Sequence, residues 1–404
     1  MRTFALSRFL FVLLGSVALV MFVIAGCGDD AGTPTAAPTA PTEPAPAPEP
    51  QPPEPPEPQP APAPEPAPPP EPSPAPEPSP PEPPPPPDPG EITVVTHDSF
   101  AVSEGIIESF EESTGITVNL LTGEDTGSML SQVILTKDNP IADVMFGIDN
   151  TFLQRALDED LFVAYRSPAV ESVPAELQLD PQDRVTPIDY GDVCVNYWID
   201  ATDGPPPGSL EDLADPRHAG SFVTQNPETS SPGLAFLLAT VAAYGTDGWE
   251  DYWARLRDGG VSVTAGWSEA YFGEFVAGGG ERALVTSYAT SPVAEVLFAD
   301  PPTDTPPTGV LTDGCFRQIE FAGILAGTGN LTGAQAFVDF MLSDTFQEDI
   351  PLNMFVFPAS SAAQVPEVFS THAVAVAEPL SLDPALIAAE RDNWTRRWVE
   401  IVLR

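Results

Sequence analysis

Apolar positions along this chain fall into three regimes. An apolar run from Phe9 to Ile24 follows Arg2 and Arg8 and gives way to small residues before Cys27. From about Thr33 to Pro89 almost every residue is Pro, Ala, Glu or Ser, as in Pro48-Glu49-Pro50-Gln51-Pro52-Pro53-Glu54, and no apolar periodicity exists. From Glu91 onward apolar and polar residues alternate with the periods of strands and helices. Ile92-Thr93-Val94-Val95-Thr96 predicts a buried strand, and Ile106, Ile107 and Phe110 a helix that stops at Gly115. A strand at Ile116 to Leu120, a helix at Met129 to Leu135 and a strand at Ala142 to Gly147 continue the alternation. Strand, helix, strand, helix, strand implies a parallel sheet with crossovers.

The middle of the chain keeps this style. Val193 to Trp198 predicts a strand, and Ser209 caps a helical turn over Leu210-Glu211-Asp212-Leu213. A helix is expected with Ser231 as N-cap and Pro232 at its first position, running through Leu234, Leu237, Leu238 and Val241 to Gly245. A second carries Trp249, Tyr252, Trp253 and Leu256 on one face, a stripe read as core packing. Thr332 and Gln335 form a capping-box pattern before Phe337, Phe340 and Met341. Asp383-Pro384 opens a last helix with Ile387, Trp394 and Trp398.

The first regime reads as a signal peptide over residues 1–27, and Ile24-Ala25-Gly26-Cys27 resembles a lipobox in which Cys27 becomes diacylated. An uncleaved membrane anchor is the alternative; either places the remainder outside the cytoplasm. Residues 28–90 read as a disordered Pro/Glu-rich linker, because such a composition cannot build a core and dense proline favours an extended, semi-rigid chain. The remaining stretch, 91–404, exceeds what a single core usually supports, so two lobes are expected.

Charge narrows the function. Fifteen basic and 59 acidic side chains leave a formal net charge of −44. The linker holds few of these acids, and after it the chain has Lys137 as its one lysine. Nucleic acid and anionic lipid surfaces are disfavoured as partners, while a cationic ligand would be concentrated; solubility accounts for much of the charge as well. Cys194 and Cys315 are left as either a disulfide or two buried thiols. The three histidines, His97, His218 and His372, lie in no nucleophile elbow, zinc motif or phosphate loop. His218 reads as a polar turn residue and His372 as a loop residue. An enzyme, such as an extracytoplasmic hydrolase, therefore has little to stand on, and no metal or cofactor is expected.

Polar and aromatic clusters instead gather where strands end, the usual ligand position in open α/β sheets. They are His97 to Phe100, Glu124 to Gly127, Gly147 to Asn150, Asp189 to Gly191, Asn226 to Gly233, Gly266 to Tyr271 and Ser287 to Pro292. In this order and spacing, and above all through Thr229-Ser230-Ser231-Pro232-Gly233-Leu234, Val263 to Tyr271 and Ala336 to Met341, residues 91–404 resemble the thiamine-binding periplasmic proteins of bacterial ABC importers, members of the type II solute-binding superfamily.

The resemblance implies an α/β, two-lobed periplasmic-binding-protein-like fold with a hinge. It places lobe 1 at about 91–188 plus part of 317–404, and lobe 2 at about 189–316 plus the C-terminal helices. It implies a monomeric receptor that passes thiamine, thiamine monophosphate or thiamine diphosphate to a permease and its ATPase. By position, Asp125 would meet the thiazolium or aminopyrimidine, and Trp267 and Tyr288 would offer ring faces to a cation. Thr229, Ser230 and Ser231 would receive the hydroxyethyl or phosphate tail at a helix end. His97 and Phe355 stand where the family has a tyrosine and a tryptophan, so stacking survives there but a phenol and an indole N–H do not. The residues alone leave other roles open: Asp125 as an Asx-turn acceptor, Trp267 and Tyr288 as core aromatics, Asp149 and Asp189 as caps or hinge partners. A polyamine or ferric-iron receptor is the alternative within the superfamily; the ferric reading lacks the adjacent tyrosines it would call for.

Overall fold

The computed structural model describes residues 90–202, 204–276 and 282–404. The signal peptide, the Cys27 lipidation and nearly all of the proline-rich linker lie outside the described residues. Among the described residues ten strands form one sheet: β1 (Glu91–Thr96), β2 (Thr117–Thr122), β3 (Val144–Asp149), β4 (Phe162–Val163), β5 (Thr186–Trp198), β6 (Phe222–Gln225), β7 (Ser262–Thr264), β8 (Leu284–Tyr288), β9 (Thr308–Leu325) and β10 (Phe357–Pro358). The main path runs β2-β1-β3-β9-β5-β8-β6-β7, with β4 on β9 and β10 on β5.

Two parallel groups flank an antiparallel centre. β1 pairs parallel with β2 and β3, as the strand and helix alternation predicts, and β6 pairs parallel with β7 and β8. The long strands β5 and β9 run antiparallel to each other and serve both groups. The end of β9 near Ile324 pairs with β3, and the end of β5 near Tyr197 pairs with β8. Register shifts between Pro187 and Asp189 and between Val193 and Val195 bend this central pair as it passes between the groups. Cys194 and Cys315 are joined there by a disulfide.

The helices follow their predicted signals with small displacements. Gly115 takes φ 73° and ends the helix Ile106–Thr114 through its N–H to the Glu111 carbonyl. The helix at Ser231–Gly259 is capped by Ser230, whose hydroxyl accepts from Gly233 N–H, one residue ahead of the cap expected. It breaks at Gly245, φ 71°, where the sequence predicts one helix to stop and another to begin. Asn330, and not Thr332, caps Leu331–Met341 by accepting from Gly333 N–H. Trp249, Tyr252, Trp253 and Leu256 are fully buried core. The Trp253 ring meets Trp398 of the C-terminal helix Pro384–Val402 edge-on at 5.3 Å. His218 is a buried residue of the short helix Pro216–Ala219, not the polar turn residue expected, and His372 ends the helix Glu367–His372, not a loop. Among the described residues, no helix is long and apolar enough to cross a membrane.

Candidate ligand-binding site

Asp125 precedes the helix Thr126–Leu135 with extended backbone, φ −62° and ψ 159°, which turns its side chain back over the first turn. Its Oδ1 accepts the N–H of Thr126 at 2.7 Å and the N–H of Ser231 at 3.1 Å. Its Oδ2 accepts the N–H of Trp267 at 2.9 Å. One carboxylate thus caps two helices and ties β1-side chain segments to β6-side ones. The Thr229 carbonyl reinforces the junction by accepting from Gly127 N–H at 2.9 Å and Ser128 N–H at 3.2 Å. The Ser99 and Ser268 hydroxyls meet at 3.3 Å. Burial raises the Asp125 carboxyl pKa above its ordinary value, and the N–H donors of Ser231, Trp267 and Thr126 oppose that rise.

Trp267 stacks one face on Tyr271, ring centroids 4.8 Å apart and planes 16° from parallel, while its Nε1 donates to Ser287 Oγ at 2.9 Å. Tyr271 belongs to the π-helix Glu269–Val276, whose wider turn follows Trp267 directly. A ring ligand therefore has one face of Trp267 to stack on. Tyr288 lies at the end of β8, its ring 6.3 Å from that of Trp267 and 63° from parallel, and its hydroxyl donates to Gln318 Oε1 at 3.1 Å.

Gln318 opens onto a group of carboxylates. Asp149, Glu320 and Asp189 are direct register partners across three adjacent strands, β3, β9 and β5. Gln318 Nε2 donates to Glu320 Oε1 at 3.2 Å and to Ser231 Oγ at 3.4 Å, and Ser231 Oγ donates to Asp149 Oδ2. Asp149 Oδ1 accepts from Thr151 and Phe152, so Asp149 caps the following turn as well. Burial lifts its pKa from 3.8 to about 6 against the bonds from Ser231 and Thr151, with the charge of Glu320 adding to the rise. Both oxygens of Asp189 are buried without a hydrogen-bond donor. Burial, then the charge of Glu320, holds the Asp189 carboxyl well above the ordinary range.

His97 ends β1's turn with its ring against Phe146, and its Nε2 faces Glu320 Oε2 at 3.6 Å. Burial alone would lower its pKa; the Glu320 carboxylate, then Asp125, outweigh burial and raise it. Gly147 takes φ 98°, and a Cβ there would fall 2.2 Å from His97 Cδ2, so only glycine lets the imidazole lie on the strand.

The structure brings together Asp125, Trp267, Tyr288, His97 and Ser231. Thr229 and Ser230 are at the same junction, but their hydroxyls serve the protein: Thr229 Oγ1 donates to the Ala265 carbonyl and Ser230 Oγ accepts from Gly233 N–H. Phe355 has φ 56°, accepts from Thr290 Oγ1 through its carbonyl, and sets its ring 5.8 Å from the exposed Phe298. Sequence reasoning misses Gln318 and Glu320. The signal was there in Gln318-Ile319-Glu320-Phe321, a charged residue alternating into an otherwise apolar strand. Among the described residues, no cluster of potential metal ligands occurs.

Asp125 thus joins two parallel groups of strands that the long strands β5 and β9 connect. Residues 139–377 match the family model described as bacterial extracellular solute-binding protein. The chain belongs to that family. The extracellular solute-binding protein is 33% identical over 321 residues to the thiamine-binding periplasmic protein of Escherichia coli (strain K12), covering 78% of this chain and 94% of the relative. It is equally identical, over 319 residues and with the same coverage, to the thiamine-binding periplasmic protein of Salmonella typhimurium. A solved periplasmic thiamin binding protein superposes with a TM-score of 0.70 at 31% identity, covering 78% of this chain and 96% of that one. The resemblance read from the clusters and the two-lobed α/β fold it implies are both borne out. As a member of this family, the solute-binding protein works outside the cytoplasm.

Proposed function

We propose that this solute-binding protein captures thiamine or one of its phosphates between its two lobes and delivers it to an ABC permease driven by a cytoplasmic ATPase. The observation that carries the reading is the Asp125 carboxylate, which accepts from Thr126 on one side and from Ser231 and Trp267 on the other. A cationic ring placed against it, on the free face of Trp267 and beside Tyr288, gains cation–π attraction of roughly 0.5–2 kcal/mol per ring and stabilises the closed form. Closure is then a shift of population toward a conformation that the ligand binds better. The sequence and spacing of the clusters, and the curated relatives, support this ligand over another small cation.

Lipidation at Cys27 would hold the receptor, as a monomer, at the outer face of the cell membrane, with the proline-rich segment as a tether. Dual or triple acylation binds a membrane far more firmly than one chain does. Calorimetric titration of the full-length chain with thiamine and its mono- and diphosphate, with tryptophan fluorescence in parallel, tests the reading. One-to-one binding with quenching that disappears in Trp267→Ala is the expected result. Heat from spermidine or ferric citrate, and none from any thiamine compound, overturns the ligand while leaving the receptor.

A further inference from the structure

Asp149, Glu320 and Asp189 stand in register on β3, β9 and β5, so three carboxylates are nearest neighbours across hydrogen-bonded strands. Like charges directly opposite in a sheet are destabilising, and here they are also buried, with Asp149 and Asp189 at 0% and 1% exposure. The fold answers this charge only in part: Ser231, Thr151 and Phe152 donate to Asp149 and His97 faces Glu320, but nothing donates to Asp189. Both oxygens of Asp189 lack any donor, and His97 Nε2, equally without a hydrogen-bond partner, is turned toward Glu320. Among the described residues, no arginine or lysine forms an ion pair with Asp125, Asp149, Asp189 or Glu320. The groups that face the row are His97 from the end of β1, Asp125 from the helix cap, Tyr288 from β8 and the neutral Ser231 and Gln318.

A proton resolves the contact between Asp189 and Glu320, because two carboxylates facing each other offer only acceptors. A positive charge brought by the ligand resolves it too. Tyr288 is the aromatic neighbour of the row: its hydroxyl donates to Gln318, which donates to Glu320, and burial, then the charges of Glu320, Asp125, Asp149 and Asp189, holds its pKa well above the ordinary value.

We propose that the Asp149–Glu320–Asp189 row is the charge filter of the ligand site: Asp189, buried opposite Glu320 without a donor, holds a proton that leaves to solvent when a ring cation settles beside Tyr288, so capture selects for positive charge on the solute. This rests on the thiamine reading and adds to it two specificity-determining residues, Asp189 and Glu320, and a discriminating property. The base that receives the proton is water or buffer.

Thiamine and 3-deazathiamine, a neutral isostere in which the ring cation is replaced by carbon, separate charge from shape. The full-length chain is expected to bind thiamine at least about tenfold more tightly than the isostere, a gap that Glu320→Gln and Asp189→Asn each narrow by weakening thiamine alone. Binding heats measured in two buffers of different ionisation enthalpy should report proton release in the native chain and less in either variant. Infrared spectroscopy supplies a ligand-free measurement: the carbonyl stretch of a neutral carboxylic acid at pH 7, absent from Asp189→Asn and diminished when thiamine is added. Equal affinity for the two compounds, or an infrared band indifferent to Asp189→Asn, overturns the filter. If thiamine itself gives no heat, the ligand assignment fails, and the infrared band alone still decides whether the row holds a proton.

Discussion

Asp125 Oδ2 accepts the backbone N–H of Trp267 at 2.9 Å across 142 residues of sequence. The other oxygen accepts from Thr126 and Ser231, so three of the donors around this carboxylate are N–H groups that cannot accept in return, and the Ser230 hydroxyl is a fourth donor. Asp125→Asn keeps the size of the side chain but turns an amide NH2 toward one of those N–H groups. The bond is lost and two donors are left facing, a cost of about 2–3 kcal/mol in a buried site. Thiamine affinity should fall by roughly 30- to 150-fold while the melting temperature without ligand moves little. Calorimetry with small-angle scattering checks this: scattering should show the variant failing to contract when thiamine is added.

How much of this site was visible in the sequence depends on whether its residues signal locally. Asp125, Thr229 to Ser231 and Trp267 sit in short motifs with turn and cap chemistry, and the structure gathers them. Their predicted bonds were less secure than their positions. Ser230 caps the long helix because Ser231 spends its N–H on Asp125 and its hydroxyl on Asp149, a choice made by tertiary contacts. The carboxylate row was not legible, since Asp149, Asp189 and Glu320 are neighbours only through the order β3-β9-β5. Strand β9 was itself missed: Gly314 and the polar residues Thr312, Asp313, Arg317, Gln318 and Glu320 interrupt its pattern, although Phe316, Ile319, Phe321, Ala322 and Ile324 join the main core, because the strand also carries polar residues to the site.

The raised pKa of Asp149 predicts an unusual pH dependence. Its folded value of about 6 against 3.8 means that the fold holds this proton more tightly than the unfolded chain does. The stability it contributes is fully present below about pH 4 and is lost as pH climbs through about 6. Denaturant unfolding of the native chain and Asp149→Asn from pH 4 to pH 7 should diverge by on the order of 2–3 kcal/mol, the native chain losing more. A variant that follows the native curve would show that Asp149 does not hold the proton.

The Cys194–Cys315 disulfide closes a loop of 121 residues at the bend of β5 and β9. Crosslinking so long a loop removes much unfolded-state entropy, and losing it typically costs 2–5 kcal/mol. Cys194→Ser/Cys315→Ser should therefore lower the denaturant midpoint markedly. Neither sulfur is among the groups that contact Asp125, Trp267 or Tyr288, so the folded variant should bind thiamine within about threefold of the native chain. A large loss of affinity at full folding would place the disulfide in the closing motion.

Gly127 offers a way to separate closure from folding. It lies in the first turn of the helix Thr126–Leu135 without a left-handed φ, so alanine suits its backbone and should favour the helix by about 0.5–1 kcal/mol. A Cβ at this position would lie 2.5 Å from the Glu228 carbonyl oxygen and 2.8 Å from the Thr229 carbonyl carbon. Both are backbone atoms of the segment that carries Ser230 and Ser231, and neither can swing aside as a side-chain tip could. Gly127→Ala should thus lose thiamine affinity by more than about tenfold, because Gly127 N–H can no longer approach the Thr229 carbonyl, while the melting temperature without ligand falls only by what the third contact, with the buried Phe152 ring 2.9 Å away, costs beyond the gain in helix propensity. Measured together, these two quantities distinguish a blocked closure from simple destabilisation. If affinity and stability fall in step, the contact at Gly127 belongs to folding, and the closing surface must be sought at Ser99 and Ser268 instead.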